Sequence, residues 1–290
     1  MITFVELGSL GRLGNQLFQY AAACGVSKKT GHELKLPPFE SKEWHGQKCL
    51  LEHFNITAPA LAETDYRQLK YRFIESDHMK FYPEVFEIED YTDLYGFFQS
   101  TLYFKGYEDA VKSELTLKDP LRSAARRYVD NLRSSGHEIV SLHMRRGDNT
   151  DGTNIGAVNY YGADDTFQWD SLFGRYLSNA QKHFDGRKVK YLIFTGGSRF
   201  QNTNEKDIEW CKKNFHGNNI LYSEGNSDIM DFAIMTACDH NITCHNTSFG
   251  WWAAYLNTNP EKIVVAPRDY FIEQVGRSRE GFYPELWRLE

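Results

Sequence analysis

The chain lacks any long apolar run. The longest, Trp251–Leu256 and the Val264-Val265-Ala266-Pro267 stretch, are short. A membrane helix needs about 20 apolar residues. The start, Met1-Ile2-Thr3-Phe4-Val5-Glu6, has no basic stretch followed by an apolar one, so no signal peptide is read there. A soluble, cytoplasmic protein without a membrane span is expected. Basic residues (33) do not outnumber acidic ones (39), and the net charge of −6 gives no reason to expect a nucleic-acid coat. An anionic ligand would have to be met by a local basic cluster. The five cysteines (Cys24, Cys49, Cys211, Cys238 and Cys244) are odd in number and scattered, with no zinc-type spacing. Reduced, buried thiols are the expectation. Three sequons, at Asn55, Asn241 and Asn246, say little without a secretory route.

What is present is aromatic: 15% of the 290 residues, with 17 Tyr, 20 Phe and 6 Trp. Such richness fits a large core, sugar-stacking surfaces, or both. The length suits about two domains. The opening reads as a strand (Ile2–Leu7), a glycine loop and a helix (Leu17–Lys29) closed by Gly31, then a strand at His32–Pro37. Residues 37–104 are irregular, with Asp93–Phe104 read as a strand or loop entering a short helix. Leu121–Leu132 is a clear helix, and Ser134-Ser135-Gly136 is the candidate linker, dividing the chain into 1–134 and 135–290. Beyond it, strands at 138–144, 189–195, 219–223, 240–244 and 262–267 alternate with helices at 170–183, 205–214, 227–237 and 248–256. That alternation predicts an α/β protein with an open, doubly wound parallel sheet. Ligands then sit beyond the carboxyl ends of the strands.

Three loops after predicted strands carry unusual polar content. The first contains Gly8, Gly11, Arg12, Gly14, Asn15 and Gln16. Its glycines let backbone approach a ligand, but the spacing fits neither the dinucleotide fingerprint nor a Walker A loop. A tight turn with Asn15 as helix N-cap fits equally. The second is His143-Met144-Arg145-Arg146-Gly147-Asp148. Adjacent side chains point apart, so one guanidinium can face a ligand while the other is tied internally, with Asp148 as a candidate partner. A guanidinium fork suits a phosphate or pyrophosphate; a surface ion-pair network fits the same residues. The third is His245-Asn246-Thr247-Ser248-Phe249, opening a helix. Asn, Thr and Ser suit helix capping, and free N–H groups there also suit an anion. Asp231, in the first turn of the preceding helix, can accept hydrogen bonds from a guanine edge, or simply complement the helix dipole.

Together, GRLGNQLFQYAAA (11–23), HMRRGD (143–148) and the segment 228–256, with GFFQSTLYF (96–104) between, resemble the α-1,2-fucosyltransferases of glycosyltransferase family 11. The resemblance runs from residue 8 to about 268. It implies a GT-B fold, two Rossmann-like domains facing a cleft: 1–134 on the acceptor side, 135–290 holding GDP-fucose, with the last residues able to return to the first domain. It implies inverting transfer of L-fucose from GDP-β-L-fucose to O2 of a β-galactoside, with no metal and no cofactor. The absence of an Asp-x-Asp element agrees with that. Two departures stand out. Gly196-Gly197-Ser198 replaces an acidic pair common in the family, and Asn149-Thr150-Asp151 stands where an aromatic is common.

The resemblance places Arg145 on the pyrophosphate, with Arg146 assisting or bracing the loop. Asn246, Thr247 and Ser248, with Phe249 beside them, serve the same group, while His143 and Asp231 touch the nucleoside. Gly11, Arg12, Gly14, Asn15 and Gln16 lie near the fucose and acceptor. Asp148 and Asp151 are candidate bases, and the leaving phosphate is an alternative proton acceptor. The acid-x-acid pairs Glu63/Asp65 and Glu75/Asp77 read as solvated surface. Two other functions fit the residues: fucosylation of another linkage (α-1,6 or protein O-linked), and sugar or nucleotide binding without turnover.

Overall fold

The computed structural model describes residues 1–133, 136–150, 161, 166–196, 204–269 and 280–290; for Asp148, Asn149 and Asn204 only the backbone is described. The chain forms two compact units, residues 1–118 with 278–285, and residues 119–277 with 286–290.

The first unit carries strands β1 (Ile2–Thr3), β2 (Leu34–Lys35), β3 (Glu43–Trp44), β4 (Gln47–Lys48), β5 (Tyr71–Ile74) and β6 (Thr92–Tyr95). Its helices are α1 (Leu13–Thr30), α2 (Glu63–Tyr66) and α3 (Glu108–Glu114). The main sheet is parallel with order β2-β1-β6-β5, and β3 pairs antiparallel with β4. The opening strand is shorter than expected, because the chain turns at Phe4–Ser9 through backbone bonds Leu7 N to Phe4 O and Ser9 N to Glu6 O. Helix α1 starts one turn earlier than the sequence suggested. Its N-cap is Arg12, not Asn15, and the Arg12 carbonyl accepts the N–H groups of Asn15 and Gln16. Gly31 ends it as expected, at a left-handed φ of 77° with its N–H on Ser27 O. Inside α1, a Cβ on Gly25 would stand 2.3 Å from the Tyr103 carbonyl, so only glycine admits the 3-10 turn Thr101–Phe104 against this helix.

The second unit holds α4 (Leu121–Arg133), β7 (Glu138–Met144), α5 (Gly147–Thr150), α6 (Leu172–Lys182), β8 (Val189–Thr195), α7 (Asn204–Asn214) and β9 (Ile220–Tyr222). It continues with α8 (Asp228–Ala237), β10 (His240–Ile242), α9 (Ser248–Leu256), β11 (Val264–Ala266) and β12 (Arg288–Leu289). Its sheet is parallel throughout, in the order β12-β11-β10-β7-β8-β9. The central strands are buried on both faces, as parallel sheets require. One core cluster joins Val140, Leu142, Ile193 and Ile242 to Phe173, Leu177, Trp210 and Phe215. The aromatic wealth is spent largely here and in the first unit's interior: Trp251, Trp252, Tyr103 and Phe98 are all buried. All five cysteines are free and buried.

The division between the units lies at 118/119 rather than at 134/135. Helix α4 packs on α8. Arg133 at its end grips Asp239 through Nε at 3.1 and 3.0 Å, and donates to Ala237 O at 2.9 Å. These bonds attach the helix to the sheet that follows it. Of the expected linker, Ser134 and Ser135 lie outside the described residues.

Candidate functional site

In the second unit, β7 and β10 are neighbours in the sheet but distant in sequence. The chain leaves β7 toward β8 on one side and leaves β10 toward β11 on the other. Their exit loops therefore diverge, and this is the place where open α/β sheets form a ligand crevice. The loops at this point are His143–Asp148 and Cys244–Ser248.

The two arginines divide their roles. Arg145 is half-buried; its backbone N–H points to Cys244 Sγ at 3.3 Å and its Nη1 donates to the Asn246 carbonyl. It thus spans both exit loops. Arg146 is 9% exposed. Its Nε donates to Asp207 Oδ1 at 3.2 Å and its guanidinium lies 3.6 Å over the Trp210 ring. Asp207 of α7 is thus an internal partner of Arg146; the side chain of Asp148, the suggested partner, lies outside the described residues. The other Asp207 oxygen accepts Gly147 N–H at 3.0 Å. Of the two roles offered for Arg146, the packing favours bracing.

Helix α9 begins at Ser248 with Thr247 as N-cap, whose hydroxyl accepts Gly250 N–H at 3.5 Å. Asn246 before it has a φ of 54°. This left-handed backbone is one that Asn tolerates better than most residues. Its side-chain Oδ1 is buried and has no hydrogen-bond partner among the described residues. His143 lies under this turn, with Nδ1 3.4 Å from Thr247 Oγ1 and its ring 5.7 Å from that of Phe249. Burial, then the charge of Arg145, lower its pKa to about 3, so it is a neutral imidazole. A Cβ on Gly250 would stand 2.6 Å from His143 Nδ1, so the glycine makes room for the ring.

Asp231 lies on α8 beside the end of β9. Its Oδ1 accepts Ser223 Oγ at 2.6 Å, and Asn226 donates to the same Ser223 oxygen at 2.9 Å. Burial first, with the Asp228 charge also raising it, brings its pKa to about 6 from 3.8.

In the first unit, the loop after β1 meets the loop after the neighbouring β6. Gln99 Nε2 donates to Asn15 Oδ1 at 2.6 Å, and Gln19 Nε2 bridges Leu10 O and Gly96 O at 2.9 and 3.1 Å. Gln16 is buried and donates to Gly11 O at 3.0 Å. Arg12 is half-buried at the helix start and Gly14 is buried in its first turn. Glu75, read from sequence as surface, is buried; its Oε2 accepts the N–H groups of Phe97 and Phe98 at 2.7 and 2.9 Å. Asp65 is likewise buried, accepting from Ala62 N and Lys35 Nζ at 2.9 and 3.0 Å. Those two carboxylates are structural, not solvated.

The Asp148 side chain and the whole of Asp151 lie outside the described residues, as do Gly197 and Ser198. Among the described residues no group of three or more His, Cys, Asp or Glu could hold a metal ion, and no helix is long and apolar enough to cross a membrane. Asp207, Trp210, Gln99 and Glu75 are the contacts that sequence reasoning missed. Gln99 alone had a signal, since it falls within the quoted GFFQSTLYF segment.

The model of the family described as "Glycosyl transferase family 11" matches residues 3–288. The chain belongs to this family. Galactoside alpha-(1,2)-fucosyltransferase 1 of Bos taurus is 29% identical over 292 residues, covering 95% of this chain and 73% of the relative. Galactoside alpha-(1,2)-fucosyltransferase 2 of Gorilla gorilla gorilla is 26% identical over 308 residues, covering 96% and 77%. Family 11 membership makes the chain an enzyme, a glycosyltransferase of the fucosyltransferase kind. Similar solved structures include POFUT1 in complex with GDP, with TM-score 0.48 and 11% identity over 91% of this chain and 97% of that one. The fucosyltransferase NodZ from Bradyrhizobium has TM-score 0.48 and 13% identity over 87% and 91%.

Proposed function

We propose that this family 11 enzyme is a GT-B galactoside α-1,2-fucosyltransferase, which takes L-fucose from GDP-β-L-fucose and inverts the anomeric centre without a metal. The second unit holds the donor and the first supplies the acceptor side. In the step, the galactose O2 forms a bond to the anomeric carbon as the bond from that carbon to the β-phosphate oxygen breaks. The hydroxyl proton passes to a carboxylate, with Asp148 and Asp151 as candidates, or to the departing phosphate. GDP leaves with the bonding electron pair. Positive charge develops on the sugar and negative charge on the phosphate, as in other glycosyl transfers with cation-like transition states.

Arg145 meets the growing phosphate charge, joined by the N–H groups and hydroxyls of Thr247 and Ser248 at the start of α9. Asn246 lends its backbone to hold Arg145, and its unpartnered Oδ1 is available to a donor hydroxyl. Asp231 accepts from the guanine edge. Phe249 and neutral His143 support the turn that carries the donors. Arg12, Gly14 and Asn15 serve the acceptor side.

The observation that carries this reading is the placement of Arg145 and the α9 N-terminus together at the divergence of β7 and β10. The experiment is incubation of the protein with GDP-fucose and lactose, with GDP release followed and the product linkage determined. GDP release with a 2-O-fucosylated galactose is the expected result. No GDP release with any β-galactoside overturns the reading, and a different linkage overturns its regiochemistry.

A further inference from the structure

We infer that Asp207 is a positioning residue for the β-phosphate grip, acting through Arg146 and Gly147 on Arg145. The inference rests on the donor reading above and names the element that makes it work.

Arg145 follows the last residue of β7 and needs a fixed backbone if its guanidinium is to meet a charge that grows only during reaction. Its own amide points to Cys244 Sγ at 3.3 Å, and the two residues after it are held from α7. Asp207 is 4% exposed. Its two oxygens take separate donors, Arg146 Nε at 3.2 Å and Gly147 N–H at 3.0 Å. Both donors belong to residues immediately after Arg145. Gly147 has a φ of 27°, in the sparsely populated positive region, and its amide is held there by the carboxylate. Arg146 is also held from a second direction, its guanidinium lying 3.6 Å over Trp210, also of α7, and 5.3 Å from the Tyr161 ring.

The result is a carboxylate that binds two consecutive residues of the strand exit to one helix. Arg146 cannot leave this box to meet a ligand without abandoning a buried carboxylate, a costly state. Its neighbour is thereby set facing the other way, toward the Asn246 carbonyl. Adjacent arginines at a strand end gain opposite tasks because one of them is fixed.

The test compares GDP with GMP as inhibitors, since only GDP carries the β-phosphate that Arg145 is assigned to hold. Asp207→Asn is expected to weaken GDP by roughly 10- to 100-fold, the scale of a misplaced catalytic contact, while GMP binding changes by less than about twofold. The kcat falls in parallel, and Asp207→Glu, which keeps the charge, recovers part of the loss. In an Arg145→Ala background, Asp207→Asn should have no further effect on the GDP/GMP ratio, because coupled residues are not additive. If Asp207→Asn does not fold, the double variant Arg146→Met with Asp207→Leu replaces the buried pair by apolar groups of similar volume and is read the same way. Equal weakening of GDP and GMP, or an unchanged ratio where Arg145→Ala collapses it, overturns the inference. An unchanged ratio in Arg145→Ala itself instead overturns the donor reading on which it rests.

Discussion

The Nη1 of Arg145 donates to the backbone carbonyl of Asn246, so a side chain leaving β7 is held by the turn leaving β10. The proposed reading gives this guanidinium a second task, meeting the charge that grows on the departing phosphate. Removing it should leave the fold intact, because Arg145 is half-buried on a loop rather than in the core. Arg145→Ala is expected to reduce transfer from GDP-fucose by roughly 100- to 1,000-fold, the typical loss of one transition-state donor. The measurement is kcat with the thermal midpoint as control; a near wild-type rate contradicts the assignment.

The residue whose carbonyl holds Arg145, Asn246, adopts a φ of 54°. Asn246→Gly keeps that backbone accessible and should retain most of the stability and a measurable share of activity. Asn246→Val forces a β-branched residue into the left-handed region, at a cost of about 1–3 kcal/mol, and should lose both. Equal activity in the two variants shows that backbone conformation is not what the position supplies.

Gly250 offers a steric test. A methyl group there meets the His143 ring at 2.6 Å. Gly250→Ala is expected to destabilise the protein by about 1–3 kcal/mol, as overpacking does. Adding His143→Ala should recover part of this loss, since the clash partner is gone. Thermal melts of the two variants decide it; an unimproved double variant places the strain elsewhere.

If Asp231 meets the guanine edge as proposed, it ties pH to both stability and recognition. Its carboxyl ionises near pH 6 when folded, against an ordinary 3.8. Between those values the folded chain holds a proton the unfolded chain has released, so this group's contribution to stability is lost as pH rises through that window. Asp231→Asn should therefore stabilise the protein at pH 7 relative to pH 4. Recognition runs the opposite way. Guanine presents an N2 amino donor that adenine lacks, and an ionised carboxylate accepts it best. The preference for GDP over ADP should fall as pH drops below 6, and Asp231→Ala should narrow it at every pH. An unchanged inhibition ratio in that variant removes Asp231 from base recognition.

The second unit was largely legible in sequence. Strands β7 and β8 match their expected bounds, because each is a seven-residue, largely apolar stretch with glycine close to both ends. The helix Ser248–Leu256 was found through its capping residues. Residues 37–92 were hardly legible, since two-residue strands and 3-10 turns carry no period to read, whereas 93–104 does run from a strand into a short helix, as expected. The Asn15 cap misled because the glycine loop leaves the helix start ambiguous, and the side chain bonds Gln99 instead. Asp207 is 61 residues from Arg146, a separation no local pattern spans. Glu75 looked like surface because carboxylates usually are; its burial depends on two amides that only the fold delivers.

Those two amides belong to Phe97 and Phe98, and Phe98 sits buried at a φ of 50°. The segment is secured by Glu75 from β5's end and by Gln19 and Asn15 from α1. Three stretches of chain therefore form one interlocking part. A chimera that imports residues 96–104 from a relative without the matching Glu75 and the 11–19 stretch would receive a loop without its anchors. Grafting between homologues should succeed only when all three travel together.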